Sequence, residues 1–339
     1  MNPSGRHDRM GDLHFTLAGG TYDRTQALRD GTVKPDGCSL TYLEMKPMEL
    51  FFRVVRYAEF EITEMSFSSH IMQTQLGNSR YVGLPVFLSR SFRHSSFYIN
   101  KNKGIKTATD LKGKTIGVPE YQMTAALWQR GLLKDEYGIE PWEIKWRTGG
   151  LEEAGREERM ALNLDPKFDV EPIPRDKTLS GMLADGELDA VICPPVPSVF
   201  TNGHPDVDRL WPDFRPAEEE FYKKTGMFPI MHMVGIRDDV VEKYPWLPAT
   251  MYKAFRQAKD VAVKNLEFGA AACATLPWQS AELRRTRQVM GHDYWQYGLE
   301  ENRTDIEAML RYSVQQGLTK PGVTAEDLFA ESTWTTTKE

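Results

Sequence analysis

The stretch LSRSFRHSSFYIN, residues 88–100, combines basic and aromatic side chains in a strand-like pattern. A guanidinium carries a planar pair of donors that matches a carboxylate. An imidazole titrates near neutrality and can give or take a proton. If the strand begins only after His94, residues 89–94 form a loop in which Arg93 and His94 can both face a ligand. The stretch therefore predicts a site for a small aromatic anion, with a charged sheet edge as the alternative.

TYDRT, residues 21–25, carries further side chains suited to an anion. It directly follows the first predicted strand, LHFTLA, and open α/β sheets bind ligands at the carboxyl ends of their strands. We expect Arg24 to bind a carboxylate, Tyr22 to contact the ligand, and Asp23 to hold Arg24 or contact a hydroxyl. The alternative is an Asp–Arg pair that only shapes the turn.

The loop EYQMT, residues 120–124, lies between a predicted strand and a predicted helix. The free N–H groups at a helix start favour an anion, so Tyr121, Gln122 and Thr124 are candidate ligand contacts. Ordinary helix capping by Thr124 explains the same residues without a ligand. Arg147, just before a glycine pair, is a further candidate carboxylate clamp or a surface cation at a strand end.

His232 lies in PIMHMVG, an otherwise apolar strand. A lone histidine among apolar neighbours is either a core residue or a catalytic group beside a cleft, and both interpretations stay open. His94, His232, Asp23 and Glu64 are too far apart in sequence to indicate a metal site, so no metal is predicted.

Strands alternate with helical segments along most of the chain, which is typical of α/β proteins with parallel sheets. Residues 151–164 read as a helix after a glycine pair, and three helical segments follow residue 247. RYAEFEITEMSFSS and MLADGELDAVICPPVPS share one layout, in which a helix, a short turn, a strand and a polar or proline-rich loop follow each other. This internal repeat predicts two lobes, each of which places one such loop at a shared cleft.

Composition excludes several classes of protein. The 339 residues have 42 Lys and Arg against 48 Asp and Glu, a formal net charge of −6, whereas nucleic-acid binders carry a basic footprint. No run of apolar residues approaches the ~20 of a membrane-spanning helix, and none has the length of a signal peptide. Three scattered cysteines fit a reducing compartment. We expect a cytoplasmic protein without nucleic-acid or membrane partners.

Two motifs, DLKGKTIGVPEYQMT and SGMLADGELDAVI, resemble the type II periplasmic-binding-protein fold. The resemblance implies two α/β lobes around a cleft, with residues 10–100 and 206–339 in the first lobe and 101–205 in the second. The C-terminal region is expected to be helical, and its apolar stripes permit a homo-oligomer. The missing export signal departs from that fold's usual exported proteins.

Six motifs in order are similar to the 4,5-dihydroxyphthalate decarboxylase family, over about residues 13–330. They are GTYDRTQALRDG, SRSFRHSSFYIN, GVPEYQMTAALWQRGLL, WRTGGLEE, TGMFPIMHMV and YWQYGLEENR. The resemblance implies a carboxy-lyase on the binding-protein fold that removes one carboxylate of a dihydroxylated aromatic dicarboxylate as CO2, without an organic cofactor. A ring hydroxyl para to the carboxylate would push electrons into the ring while an acid protonates the ring carbon.

This chemistry needs a proton donor, a partner for the hydroxyl and a clamp for the carboxylate that stays. The predicted catalytic residues are His94, His232 and Asp23, and the predicted substrate contacts are Tyr22, Arg24, Arg93, Tyr121, Gln122, Thr124 and Arg147. We expect Arg24, His94 and Tyr121 to share one cavity. A solute-binding or sensor protein for an aromatic carboxylate is the alternative, and a pyrimidine-precursor synthase that consumes its own histidine is a third hypothesis.

Overall fold

The computed structural model describes residues 13–335, which form two β-sheets flanked by helices. The strands are β1 (Leu13–Gly19), β2 (Cys38–Glu44), β3 (Ile62–Ser66), β4 (Tyr81–Arg90), β5 (Phe97–Asn100), β6 (Thr115–Val118), β7 (Lys145–Thr148), β8 (Val170–Pro172), β9 (Ala190–Ile192), β10 (Val207–Arg209) and β11 (Ile230–Arg237). The predicted α/β class is confirmed.

Helices cover both sheets and dominate the C-terminal third, as the sequence predicted. They are α1 (Asp23–Arg29), α2 (Pro47–Tyr57), α3 (Phe67–Gln75), α4 (Thr124–Tyr137), α5 (Leu179–Ala184), α6 (Ser198–Thr201), α7 (Arg215–Thr225), α8 (Asp238–Lys243), α9 (Leu247–Glu267), α10 (Gln279–Met290) and α11 (Arg303–Gln315). No helix within residues 13–335 is both long enough and apolar enough to cross a lipid bilayer.

The first sheet has the strand order β2-β1-β3-β11-β4. Strands β1, β2 and β3 run parallel, and β11 is antiparallel to both of its neighbours. All five residues of β3 are buried, because a strand in the middle of a sheet covered by helices has no solvent-facing side. A carboxylate on β3, that of Glu64, is therefore forced into the interior.

The second sheet has the strand order β10-β5-β9-β6-β7-β8. Strands β6, β7, β8 and β9 are parallel to their neighbours in this group, whereas β5 is antiparallel to both β9 and β10. The chain crosses from the first sheet to the second between β4 and β5, and returns between β10 and β11. The lobe limits at residues 100 and 205 stay a prediction.

The first crossing contains the basic stretch. β4 ends at Arg90, a single helical turn covers His94–Ser96, and β5 begins at Phe97. The strand thus begins after His94, which was the condition for placing Arg93 and His94 in one loop, although Ser89 and Arg90 still belong to β4.

The expected helix at residues 151–164 is wrong, because this segment is irregular. The backbone carbonyls of Gly150 and Leu151 accept hydrogen bonds from Leu179 and Ser180 at 2.9 and 3.0 Å. In a helix, each of these carbonyls would instead accept a hydrogen bond from the N–H four residues later in the chain. The segment instead lies across the space between the two sheets, where it contributes to the site described below.

Candidate active site

A cleft of about 840 Å³ lies between the two sheets. Residues at or shortly after the carboxyl ends of β1, β3, β6, β7 and β9 line it, namely Tyr22, Ser66, Pro119, Gly150 and Pro194. This is the place where open parallel sheets bind ligands. β3 and β9 are the two strands of the internal repeat, and both lead into the cleft, as the repeat predicted.

Glu64 lies behind the first-sheet wall of the cleft and is fully buried. Its Oε2 accepts the Gly20 N–H at 2.7 Å, and its Oε1 accepts the Tyr22 hydroxyl at 2.7 Å. The same Oε1 is 2.7 Å from His232 Nδ1. Burial alone raises the pKa of Glu64, but the hydrogen bonds from His232, Tyr22 and Gly20 and the charge of His232 lower it overall, so this carboxyl group is ionised.

His232 lines the cleft, and 19% of its side chain is exposed. Its ring packs edge-on against Phe51 with centroids 4.7 Å apart. A buried carboxylate on Nδ1 fixes the ring orientation and stabilises the imidazolium. Because burial and Glu64 raise the pKa of the Tyr22 phenol, Tyr22 remains a hydrogen-bond donor. The site thus holds a Glu–His pair suited to proton transfer.

Arg93 enters the cleft from the crossing between the sheets and is 9% exposed. Within residues 13–335 no carboxylate lies at ion-pair distance from Arg93, and its Nε contacts Met231 Sδ at 3.2 Å. Burial lowers the pKa of Arg93 to about 10, which leaves it charged at neutral pH. The charge of Glu218 offsets this burial only in part, since the pKa of Arg93 stays lowered. A ligand carboxylate would supply further compensation for the buried cation.

A second cationic group lies on the irregular segment. Arg156 and Arg159 line the cleft, and both bind the buried carboxylate of Glu120. Two guanidinium groups share one carboxylate, so the group keeps one net positive charge. The Arg159 guanidinium carbon lies 5.7 Å from the Phe51 ring centroid, so Arg159 and His232 both contact this aromatic side chain.

Thr124 joins the two lobes at the floor of the cleft. Its hydroxyl lies 3.0 Å from the Ser66 hydroxyl and accepts the Ser68 N–H at 3.1 Å. It therefore serves the start of α3 in the first lobe rather than capping its own helix, α4.

The prediction that Arg24, His94 and Tyr121 share one cavity is wrong, since none of them lines the cleft. The Arg24 Nε donates to the Leu88 carbonyl at 2.7 Å, and its guanidinium stacks on Tyr22 and Trp295. The Tyr121 hydroxyl donates to the Gln316 carbonyl at 3.2 Å. Each of these polar groups is occupied by a partner within the protein.

His94 lies in an aromatic cluster, with its ring against Trp211 and Phe221 at 5.1 and 5.8 Å between centroids. It is 2% exposed, and burial lowers its pKa to about 4. At neutral pH the ring is uncharged and separated from the cleft. The expectation that the strand start would direct His94 at the ligand fails because the turn directs it into this cluster.

Most of the remaining predicted residues also have partners within the protein and do not line the cleft. Asp23 pairs with its neighbour Arg24 on the surface. Gln122 is fully buried and donates to Glu120 at 2.7 Å, so it supports the Arg156–Arg159 group from behind. Arg147 pairs with Asp169 and Glu171. Of the ten predicted residues, those that line the cleft are Tyr22, Arg93, Thr124 and His232.

Sequence reasoning missed several cleft residues. Arg156 and Arg159 were hidden in a segment interpreted as a helix, and Lys46 at the mouth of the cleft carried no signal. Ser89 was placed in a loop, whereas it lies on β4 and lines the cleft. Within residues 13–335 no group of three or more His, Cys, Asp and Glu side chains could hold a metal ion.

Two relatives of known name resemble this chain in sequence, one of them over almost its whole length. No family model matches it. It is 42% identical over 320 residues to the 4,5-dihydroxyphthalate decarboxylase of Comamonas testosteroni, covering 94% of this chain and 97% of that one. It is 47% identical over 214 residues to the 4,5-dihydroxyphthalate decarboxylase of Pseudomonas putida, covering 63% of this chain and 83% of that one.

Among solved structures, the periplasmic aliphatic sulphonate binding protein SsuA from Escherichia coli aligns with a TM-score of 0.52 at 10% identity, covering 95% of this chain and 98% of that one. The alkanesulfonate-binding protein SsuA from Xanthomonas axonopodis pv. citri aligns with a TM-score of 0.51 at 11% identity, covering 93% and 97%. At such identities the structures confirm the two-lobed periplasmic-binding-protein fold alone. The sequence relatives decide the family: the chain belongs to the 4,5-dihydroxyphthalate decarboxylase family.

Proposed function

We propose that this chain is a carboxy-lyase that converts 4,5-dihydroxyphthalate to protocatechuate and CO2, with His232 as the acid that protonates the ring carbon. The observation that carries the proposal is the buried Glu64–His232 pair at 2.7 Å, whose imidazole borders a cleft that also contains the guanidinium groups of Arg93, Arg156 and Arg159. The names of the relatives supply the substrate. A receptor needs only the cations, whereas the Glu–His pair adds a means of proton transfer.

The substrate carries two adjacent carboxylates, and Arg93 is suited to hold the one that stays. A guanidinium binds a carboxylate through two parallel hydrogen bonds, and Arg93 has no competing carboxylate within residues 13–335. Met231, which Arg93 contacts, directly precedes His232. The retained group and the reacting carbon are neighbours in the substrate, which requires both Arg93 and His232 to reach it, and both line the cleft.

The ring hydroxyls are assigned to the opposite, cationic side formed by Arg156 and Arg159. A nearby positive charge favours the ionised form of a hydroxyl, and an ionised hydroxyl para to the departing carboxylate pushes electrons into the ring. Phe51, which contacts both His232 and Arg159, offers an apolar surface for the ring. Lobe closure would exclude water and strengthen these charge interactions.

The atoms and charges of the proposed step balance. The imidazolium of His232 transfers its proton to the ring carbon, the carbon–carbon bond to the carboxylate breaks, and its electron pair restores the aromatic ring. The doubly charged substrate and one proton give CO2 and a singly charged product. Glu64 stays ionised and stabilises the imidazolium before the transfer.

Turnover in deuterium oxide tests the reaction directly. We expect protocatechuate with one deuterium on the carbon that lost the carboxylate, together with one equivalent of CO2, measured by mass spectrometry and proton NMR. Saturable binding of 4,5-dihydroxyphthalate without any product would favour the solute-binding alternative and contradict the proposal.

Substitutions of the Glu–His pair test the proton donor. Glu64→Gln removes the charge behind His232, and His232→Gln removes the acid. Each should lower kcat by roughly 10²–10⁴, the usual contribution of general acid catalysis, with a smaller change in KM. The matched control is Glu61→Gln on the same chain segment, whose carboxylate accepts the Thr16 N–H at 2.9 Å. Full turnover in His232→Gln would rule out the assignment.

Substitution of Arg93 separates binding from folding. Arg93→Met should raise KM about tenfold or more, because a charged hydrogen bond to the substrate is lost. It should not lower the unfolding midpoint, because a buried unpaired charge is removed. Arg130→Met is the contrasting variant: Arg130 is also buried but bonds to Gln316 Oε1 at 2.6 Å, so its loss should lower the midpoint. A destabilised Arg93→Met with unchanged KM would show that Arg93 is structural.

A histidine that is neutral when buried makes stability depend on pH. The folded protein keeps His94 unprotonated down to about pH 4, whereas an unfolded histidine binds a proton near pH 6.5. Unfolding free energy therefore falls as pH drops from about 6.5 toward 4. His94→Phe should reduce this slope by up to about 1.4 kcal/mol per pH unit in urea titrations, and kcat should stay within about threefold of the wild type. A large loss of kcat would show that His94 contributes to catalysis.

A further inference from the structure

Three side chains form a row across the first sheet where it borders the cleft. His232 on β11 pairs with Ser66 on β3 on one side and with Ser89 on β4 on the other. Directly paired residues of adjacent strands point to the same face, and all three line the cleft. Their polar groups therefore lie within reach of one bound ring.

The three members of the row differ in which of their polar groups lack a hydrogen-bond partner in the protein. Ser66 is engaged with Thr124 and Ser69, and His232 Nδ1 is engaged with Glu64. Within residues 13–335 the Ser89 hydroxyl has no hydrogen-bond partner in the protein. The polar groups left for a ligand are thus the Nε2 atom of His232 and the hydroxyl of Ser89.

An irregularity in β4 brings Ser89 to this position. Between the pairs Val234–Leu84 and His232–Ser89, β11 advances by two residues and β4 by five, so β4 bulges by three residues. A bulge re-aims side chains and leaves backbone groups without ladder partners. These groups need other partners, since buried carbonyls are rarely unsatisfied.

Side chains and backbone from outside the sheet supply those partners. The Pro85 carbonyl accepts the Gly298 N–H at 2.8 Å, and the Phe87 carbonyl accepts the Trp295 indole N–H at 2.9 Å. The Leu88 carbonyl, directly before Ser89, accepts the Arg24 Nε at 2.7 Å. Arg24 is itself stacked between Tyr22 and Trp295, which fixes its guanidinium against the bulge.

We infer that Ser89 contacts the carboxylate that departs, and that Arg24 is a positioning residue that acts through the Leu88 carbonyl. The inference rests on the proposed function. The departing carboxylate loses its negative charge as CO2 forms, so a strong cation beside it would stabilise the substrate more than the transition state. A neutral hydroxyl next to His232 orients this group without that penalty, while Arg93 holds the carboxylate that stays.

The experiment compares Ser89→Ala, Arg24→Gln and the double variant in steady-state decarboxylation. Ser89→Ala should lower kcat/KM roughly 10-fold to 100-fold, the effect of losing a hydrogen bond to a charged group. Arg24→Gln should lower it in the same direction, and the double variant should lose no more than the more impaired single variant, because both changes remove one interaction. Arg24→Lys, which keeps one donor for Leu88, should recover part of the loss.

Matched controls exclude a general effect on folding. Ser91→Ala removes a hydroxyl that bonds only to the Phe92 carbonyl, and Arg29→Gln removes a guanidinium of α1 that pairs with Glu44. Both should keep wild-type kcat/KM, and circular dichroism should show all variants folded. Unchanged kinetics in Ser89→Ala would overturn the role of Ser89, and losses that add in the double variant would overturn the link through Arg24. In either case an active wild type would leave the proposed function standing, whereas an inactive wild type would refute it.

Discussion

The site depends on one constraint, the burial of an ionised carboxylate in the centre of the first sheet. Glu64 has no access to water, so its charge must be satisfied by groups of the protein. The three donors come from the end of β1, from the residue before α1, and from β11. Satisfying Glu64 therefore fixes the positions of these elements relative to each other. The same contacts set the orientation of His232, the side chain that faces the cleft.

The cleft around this pair is lined by four cations and two carboxylates, namely Lys46, Arg93, Arg156, Arg159, Glu152 and Glu153. Among the described residues Arg93 is buried without a carboxylate at ion-pair distance, and the charge of Glu218 compensates it only in part. Arg156 and Arg159 share the single carboxylate of Glu120. An arrangement of this kind reduces the stability of the empty protein and strengthens binding of an anion, which is a common compromise at functional sites. A fold that closes two lobes over a ligand is suited to it, because closure removes water from the charges. The fold by itself does not distinguish a receptor from an enzyme, and the Glu–His pair is the feature that favours turnover.

Several residues that resemble ligand-binding groups in sequence have a structural role that supports the site. Arg24 and Trp295 satisfy carbonyls of the β4 bulge, and Gln122 supports Glu120. These residues lie in the motifs TYDRT, YWQYGLEENR and EYQMT. In the mechanism that we propose, their contribution is indirect, through the position of Ser89 and of the Arg156–Arg159 group.

The sequence by itself determined the α/β class, the helical C-terminal region, the location of cleft-lining residues after strand ends, and the family. These follow from local periodicity and from ordered motifs. The four predicted residues that line the cleft lie near strand ends or on a strand that borders the cleft. They are Tyr22, Arg93, Thr124 and His232. Only the tertiary structure decided which polar groups are free for a ligand. Arg24 binds a carbonyl 64 residues away, and His232 binds a carboxylate 168 residues away. Local sequence patterns carry no information on such pairings, because a guanidinium has the same chemistry whether its acceptor is a backbone carbonyl or a substrate.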